Sequence, residues 1–235
     1  DENEMRPYFE LGHVREGIFY TANKLYGITF TEIKDIPKPD PDAFAFECKD
    51  KDGTTLGVLY MDFFTRPGKG GGAWCGGYRS QTYKDGKRVP PIVTTVFNFS
   101  KPAEGQPALL TADETETVFH EFGHALHSLF GDVHYYGVAN VPRDFVELPS
   151  QVDEHWAFEP EVLKVYAKHY KTGEVIPMEL VKKIEESAKY GQGFATVEYL
   201  AASLTDMDLH VLTEVPTDLN VMDFEQEKLN ARGIP

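Results

Sequence analysis

His120, Glu121 and His124 stand in the order H-E-x-x-H within Thr117–His127, a run whose apolar residues recur at helical spacing. On a helix, positions i and i+4 lie one above the other, so both imidazoles can reach one zinc ion. The intervening Glu121 is then placed to take a proton from a water activated by that ion. A chain with 8 His in 235 residues would show this pattern by chance in roughly one shuffled case in forty. The surroundings must therefore decide its meaning.

The helix that carries the motif has its own start and stop signals. Thr111-Ala112-Asp113-Glu114 has capping-box spacing, and Gly131 follows Phe130, which predicts a helix over 112–130. At 100° per residue with His120 at zero, His124 falls near 40°, His127 near −20° and Glu121 near 100°, whereas Val118, Phe122, Ala125, Leu126 and Leu129 fall between about 140° and 240°. A buried core histidine would account for one of these residues. It does not account for three His and a Glu gathered opposite an apolar stripe.

Catalytic zinc takes three protein ligands and leaves a position for water, so a third ligand is needed. His127 shares the face, but three ligands at i, i+4 and i+7 would spread over about 10 Å of helix axis, too far to meet one ion. The ligand must come from another segment, and Glu147 in Asp144–Gln151 is the candidate. Pro149 is expected to distort the first turns of the helix that follows. Asp144 fits a helix N-cap better than a ligand. Zinc suits two His and a carboxylate, and cobalt or manganese fits the same set.

The rest of the chain must position these groups. Leu11, Val14, Ile18, Ala22 and Leu25 predict an amphipathic helix over 10–26, closed by Gly27. Three prolines within 36–42 forbid helix there and mark an extended linker, the one place for a boundary. Residues 43–48 and 55–64 are rich in aromatic and β-branched types around Asp50-Lys51-Asp52-Gly53, which predicts an antiparallel hairpin. The glycine-rich stretch 67–72 lacks the phosphate-loop pattern and reads as a flexible loop. Residues 91–99 form a third strand, and helices are expected near 161–171, 177–190, 194–212 and 222–230. The expected fold is α+β: mainly helical, with a small antiparallel sheet in the first half.

A chain of 235 residues that is 41% hydrophobic and 26% charged can bury a substantial core. Its net charge, 23 − 38 = −15, argues against nucleic acid as a partner and favours neutral or cationic ligands such as peptides. Solubility alone also explains that charge. No apolar run reaches membrane-spanning length, and the acidic start Asp1–Met5 is unlike a secretory signal. No membrane partner is expected. The only cysteines, Cys48 and Cys75, show no pairing pattern, which fits a reducing, cytoplasmic compartment.

The run His120–His127 followed by Pro142–Gln151 resembles the thimet oligopeptidase and neurolysin family of zinc metallopeptidases, nearest to its bacterial peptidyl-dipeptidase branch. Arg6–Leu11, Asp62-Phe63-Phe64, Gly72-Ala73-Trp74, Pro107–Leu110 and Asp153–Trp156 extend the resemblance over nearly the whole chain. It implies a zincin-like, neurolysin-like metallopeptidase core. His120, His124 and Glu147 would hold one zinc ion, with Glu121 as general base and acid acting on short peptides. Gln151 would support a ligating His, and Gly72, Ala73 and Trp74 would form an edge strand for the substrate backbone. Trp74 packed into a core is the alternative. Residues 1–235 would form a partial catalytic domain: 1–42 helix plus linker, 43–100 sheet, and 111–235 helical and zinc-binding. The family's Gly- and Tyr-rich segment, held to stabilise the tetrahedral intermediate, has no counterpart in the chain; Tyr135, Tyr136, Tyr190, Tyr199 and His210 are the other aromatic or basic groups of interest. The remaining parts of a full-length enzyme are thus expected partners.

Overall fold

The computed structural model describes residues 2–135, 137–214 and 216–234. Tyr136 lies outside them. The described residues fall into two compact units, 1–181 and 182–235.

The first unit is built on a five-stranded sheet in the order β1-β2-β3-β7-β4, from β1 (Thr29–Glu32), β2 (Phe44–Lys49), β3 (Thr55–Phe64), β4 (Trp74–Arg79) and β7 (Ile92–Phe99). β5 (Thr82–Lys84) and β6 (Lys87–Val89) form a separate hairpin. Asp85 and Gly86 both have positive φ at its turn, as a two-residue Asp-Gly connection requires. The predicted β2–β3 hairpin is present, with Phe46 opposite Leu59.

The expected antiparallel sheet is instead mixed, because β3 and β7 run parallel. Their connection passes through β4, which returns antiparallel along the far side of β7 and becomes the sheet edge. The proline-rich stretch 36–42 is not a boundary between bodies either. It joins β1 to β2, neighbouring strands of one sheet, and the division of the chain falls after Val181.

Two helices carry most of the packing. The helix α1 (Leu11–Tyr26) buries Leu11, Val14, Ile18 and Ala22 and ends at Gly27, whose φ of 79° is the left-handed cap the sequence predicts. Phe19 of α1 stacks on Phe30 of β1 at 4.1 Å and meets Phe46 edge-on at 4.9 Å, fastening the helix to the sheet. The helix α2 (Ala112–Leu129) opens with the full capping box at Thr111 and Glu114. It buries Val118, Phe119, Phe122, Ala125, Leu126 and Leu129, and the larger of these side chains each stabilise the unit by about 1.5–3 kcal/mol.

Two shorter helices follow, α3 (Glu147–Glu154) and α4 (Pro160–Tyr166). The latter is shorter than the expected 161–171 because the chain then turns back through a Lys168–Val175 bridge. The helix α5 (Met178–Ser187) leads into the second unit, which holds α6 (Gln192–His210) and α7 (Val221–Ala231). Within that unit Arg232 pairs with Asp208 at 2.6 Å, and Ala201 and Thr205 are buried. No helix is long and apolar enough to cross a membrane among the described residues.

Candidate metal centre

The helical wheel of α2 predicts what the site requires: imidazoles on one flank, apolar residues opposite, and Glu121 between them. His120 and His124 meet edge to face with ring centroids 4.9 Å apart. Glu147, the first residue of α3, brings its Oε2 to 3.0 Å from His124 Nε2 and 3.3 Å from His120 Nε2. One donor atom from each residue lies within 4.8 Å of the others, and this is a potential metal-holding group among the described residues. Four-coordinate zinc with bonds of about 2.0–2.2 Å separates its donors by about 3.3 Å, so the separations to Glu147 fit such an ion. His127 does not join the group.

The chain holds Glu147 tightly for a surface carboxylate. Ser150, fully buried, donates its hydroxyl to Glu147 Oε2 at 2.9 Å and to the Glu147 carbonyl. That hydrogen bond first, and the two imidazoles with it, holds the carboxyl below its ordinary range. Burial lowers the basicity of His124, favouring the neutral ring that a metal needs.

The close approach of α2 and α3 depends on Gly123. A Cβ there would stand 2.8 Å from the Ser150 Cα and 2.9 Å from the Pro149 carbonyl oxygen. Pro149 does not distort α3, since it sits in the first turn, where no intrahelical N–H is required. Asp144 does not cap the helix. Val146 holds that position, without a side-chain bond.

The expected supporting residue Gln151 is exposed. The carboxylate that does meet a ring is that of Glu154, whose Oε1 lies 2.5 Å from His120 Nδ1. A carboxylate there fixes the proton on Nδ1 and leaves Nε2 free to bind a metal. The signal in the spacing was partial: Glu147 and Glu154 are seven apart and so share one face of α3, but Gln151 falls near it too.

Glu121 is only 5% exposed, and its Oε2 has no hydrogen-bond partner among the described residues. Burial raises its pKa to about 7, with His120 opposing and Glu147 adding to the shift. A buried, unpartnered carboxylate beside a metal-ligand set is suited to receive a water proton. Cys75 on β4 faces the same place, and burial, then the Glu121 charge, pushes its thiol up to about 12.

The site opens into a cleft of about 1080 Å³ bordered by β4, by α2 and by the segment leading to Glu147. Ala73 and Trp74 line it, Trp74 being 38% exposed, but Gly72 does not. The Gly72 carbonyl instead accepts from Asn98. Tyr135 is 79% exposed and is not among the lining residues. Tyr190, Tyr199 and His210 belong to the second unit, where His210 faces Asp206.

An H-E-x-x-H helix joined by a carboxylate from the next helix is the site type of a metal-dependent peptidase. Residues 1–233 match the family described as Peptidase family M3. Dipeptidyl carboxypeptidase of Salmonella typhimurium is 44% identical over 237 residues, covering 100% of this chain and 35% of that protein. The Escherichia coli protein of the same name is also 44% identical, with 34% of its length covered. Oligopeptidase A of Escherichia coli is 39% identical over 213 residues, 89% of this chain and 31% of its own length. The chain belongs to peptidase family M3, a family of metallopeptidases. It spans about a third of the curated relatives it matches.

Proposed function

We propose that the chain is the metal-binding part of a zincin-like zinc peptidase that releases dipeptides from the C-termini of short peptides in the cytoplasm. The observation that carries this reading is the convergence of His120, His124 and Glu147 beside the buried, unpartnered Glu121 carboxylate. When bound, zinc supplies Lewis acidity to the scissile carbonyl and to the attacking water. Glu121 accepts the proton that the water loses as its oxygen bonds to the carbonyl carbon. As the carbon–nitrogen bond breaks, Glu121 returns that proton to the amine nitrogen. Glu154 keeps the His120 ring in its ligating orientation. The substrate backbone lies along the β4 edge at Ala73–Trp74, adding a strand to the sheet. The two unpaired cysteines fit a reducing compartment.

The dipeptide-releasing reading rests on the 44% relatives named for that activity. The likeness to oligopeptidase A supports a second reading, cleavage within the peptide. A third follows from the span of the match, a zinc-binding portion that turns over only with the rest of a full-length enzyme.

Zinc loading followed by cleavage of an internally quenched peptide, with a free or an amidated C-terminus, separates them. Cleavage of the free form alone is expected. Cleavage of both forms would favour the internal peptidase, and stoichiometric zinc without turnover would favour the incomplete portion. Glu121→Gln is expected to keep zinc and abolish turnover, and retained turnover would remove Glu121 from the mechanism.

A further inference from the structure

The stretch 67–72, with glycines at 68 and 70–72, lies between the end of β3 and the start of β4. Left free, such a stretch would lose more conformational entropy on ordering than any other kind of sequence. Two anchors hold it. Lys69 reaches back beneath it with a side chain only 4% exposed and donates to Asp62 Oδ1 at 3.0 Å, the Asp62 carbonyl at 3.2 Å and the Phe64 carbonyl at 2.8 Å. All three ammonium donors are used, and Arg66 grips the same Asp62 carboxylate with two bonds of 2.8 Å. A buried lysine is tolerated only when it is compensated this fully.

The second anchor is Asn98 of β7. Its Nδ2 donates to the Gly70 carbonyl at 2.6 Å and the Gly72 carbonyl at 2.7 Å. Trp74 pairs with Val96 in the antiparallel ladder, so Asn98 stands opposite Gly72, just where the regular β4–β7 pairing stops. The side chain thus continues the attachment of the edge for two residues past the last ladder pair. The strand that enters the cleft at Ala73–Trp74 is fixed from both ends of its approach.

We propose that Asn98, together with the buried Asp62–Lys69 pair, is a positioning device that holds the β4 edge at Ala73–Trp74 in the extended form a peptide backbone must meet. The inference rests on the edge-strand reading above. Release of either anchor makes each binding event order the glycine stretch afresh, and ordering one further residue weakens binding roughly tenfold.

The test uses the zinc-loaded full chain and a fluorescein-labelled hexapeptide whose amide before the last two residues, the bond that dipeptide release would break, is reduced so that it cannot be hydrolysed there. Peptide affinity is read by anisotropy, beside zinc affinity, melting temperature and amide exchange over residues 70–74. Asn98→Asp keeps the side-chain shape and removes both donors. It is expected to weaken peptide binding about tenfold, speed exchange at 70–74 and lower the melting temperature by only a few degrees, with zinc affinity unchanged. Lys69→Met should act in the same direction, and Asn98→Asp decides alone if that protein does not fold. A peptide with methylated backbone amides provides the control for strand addition. If methylation weakens binding but Asn98→Asp does not, the positioning role is wrong and the edge-strand reading stands. If the wild type ignores methylation or binds no peptide, both fall. An equal loss of zinc affinity in Asn98→Asp would make Asn98 a general structural residue and overturn the inference.

Discussion

Glu121 shows how a single residue can trade stability for chemistry. Burial raises its carboxyl from the ordinary 4.5 to about 7, so the folded, metal-free protein binds that proton more tightly than the unfolded chain does. Stability from this group is therefore complete below pH 4.5 and is lost as pH rises through 7. Glu121→Gln, which mimics the protonated form, should match the parent melting temperature near pH 4 and exceed it at pH 8. Thermal melts of both metal-free proteins check this, and equal melting temperatures at pH 8 would mean the carboxylate is not desolvated. Glu154 makes a separate prediction. Removing the partner of a ligating imidazole typically weakens metal binding 10- to 100-fold, so Glu154→Ala should do so in a zinc competition titration, while Gln151→Ala leaves zinc affinity unchanged. The residues of α2 were legible because one helix fixes their spacing. Glu147 emerged by need of a third ligand and by resemblance. Glu154 did not, because Gln151 and Glu154, four and seven residues after Glu147, both fall near its face of the helix, and spacing alone does not say which of them meets an imidazole.

At the scale of elements, the site is a contact between two helices, and its tolerance is set by one missing side chain. Gly123 lets α3 approach until backbone atoms lie where a Cβ would stand, at 2.8 and 2.9 Å. Backbone cannot rotate away as a flexible side chain can, so Gly123→Ala must push α3 outward and carry Glu147 with it. Zinc affinity should fall at least tenfold in a chelator competition, while helix content by circular dichroism stays constant. An unchanged affinity would show that Glu147 can follow the imidazoles by its own rotamers. The sheet was less legible than the helices for a physical reason. The β2–β3 hairpin announces itself by local turn chemistry at Asp50–Gly53, but the parallel β3–β7 pair is joined across more than twenty residues and has no local signal. β4 was legible only through the resemblance, as an edge strand at Gly72–Trp74, because Gly76 and Gly77 weaken the strand propensity of the residues that follow. A strand at a ligand-accessible edge can keep glycines that a central strand would not.

At the scale of the molecule, the groups of the candidate site and the whole five-stranded sheet lie in the first unit, residues 1–181. The second unit leaves Val197, Leu200, Leu204 and Met207 of α6 exposed, and among the described residues it buries Ala201 and Thr205. A ligand that binds only the native form stabilises the body that holds it, by about 4 kcal/mol at a thousandfold excess over its dissociation constant. Calorimetry of the full chain should therefore resolve two transitions, of which the larger alone moves upward with zinc. A protein ended after Ser187, which keeps α5 whole, should retain the zinc-dependent transition and the zinc affinity of the full chain within a factor of about three, well inside the tenfold that 1.4 kcal/mol represents. A single transition that shifts as one with zinc, or a shortened protein that no longer binds the metal, would show that the second unit helps to hold α2 against α3. In that case the metal site would belong to the folding of all 235 residues and not to the sheet and the two helices that carry its ligands.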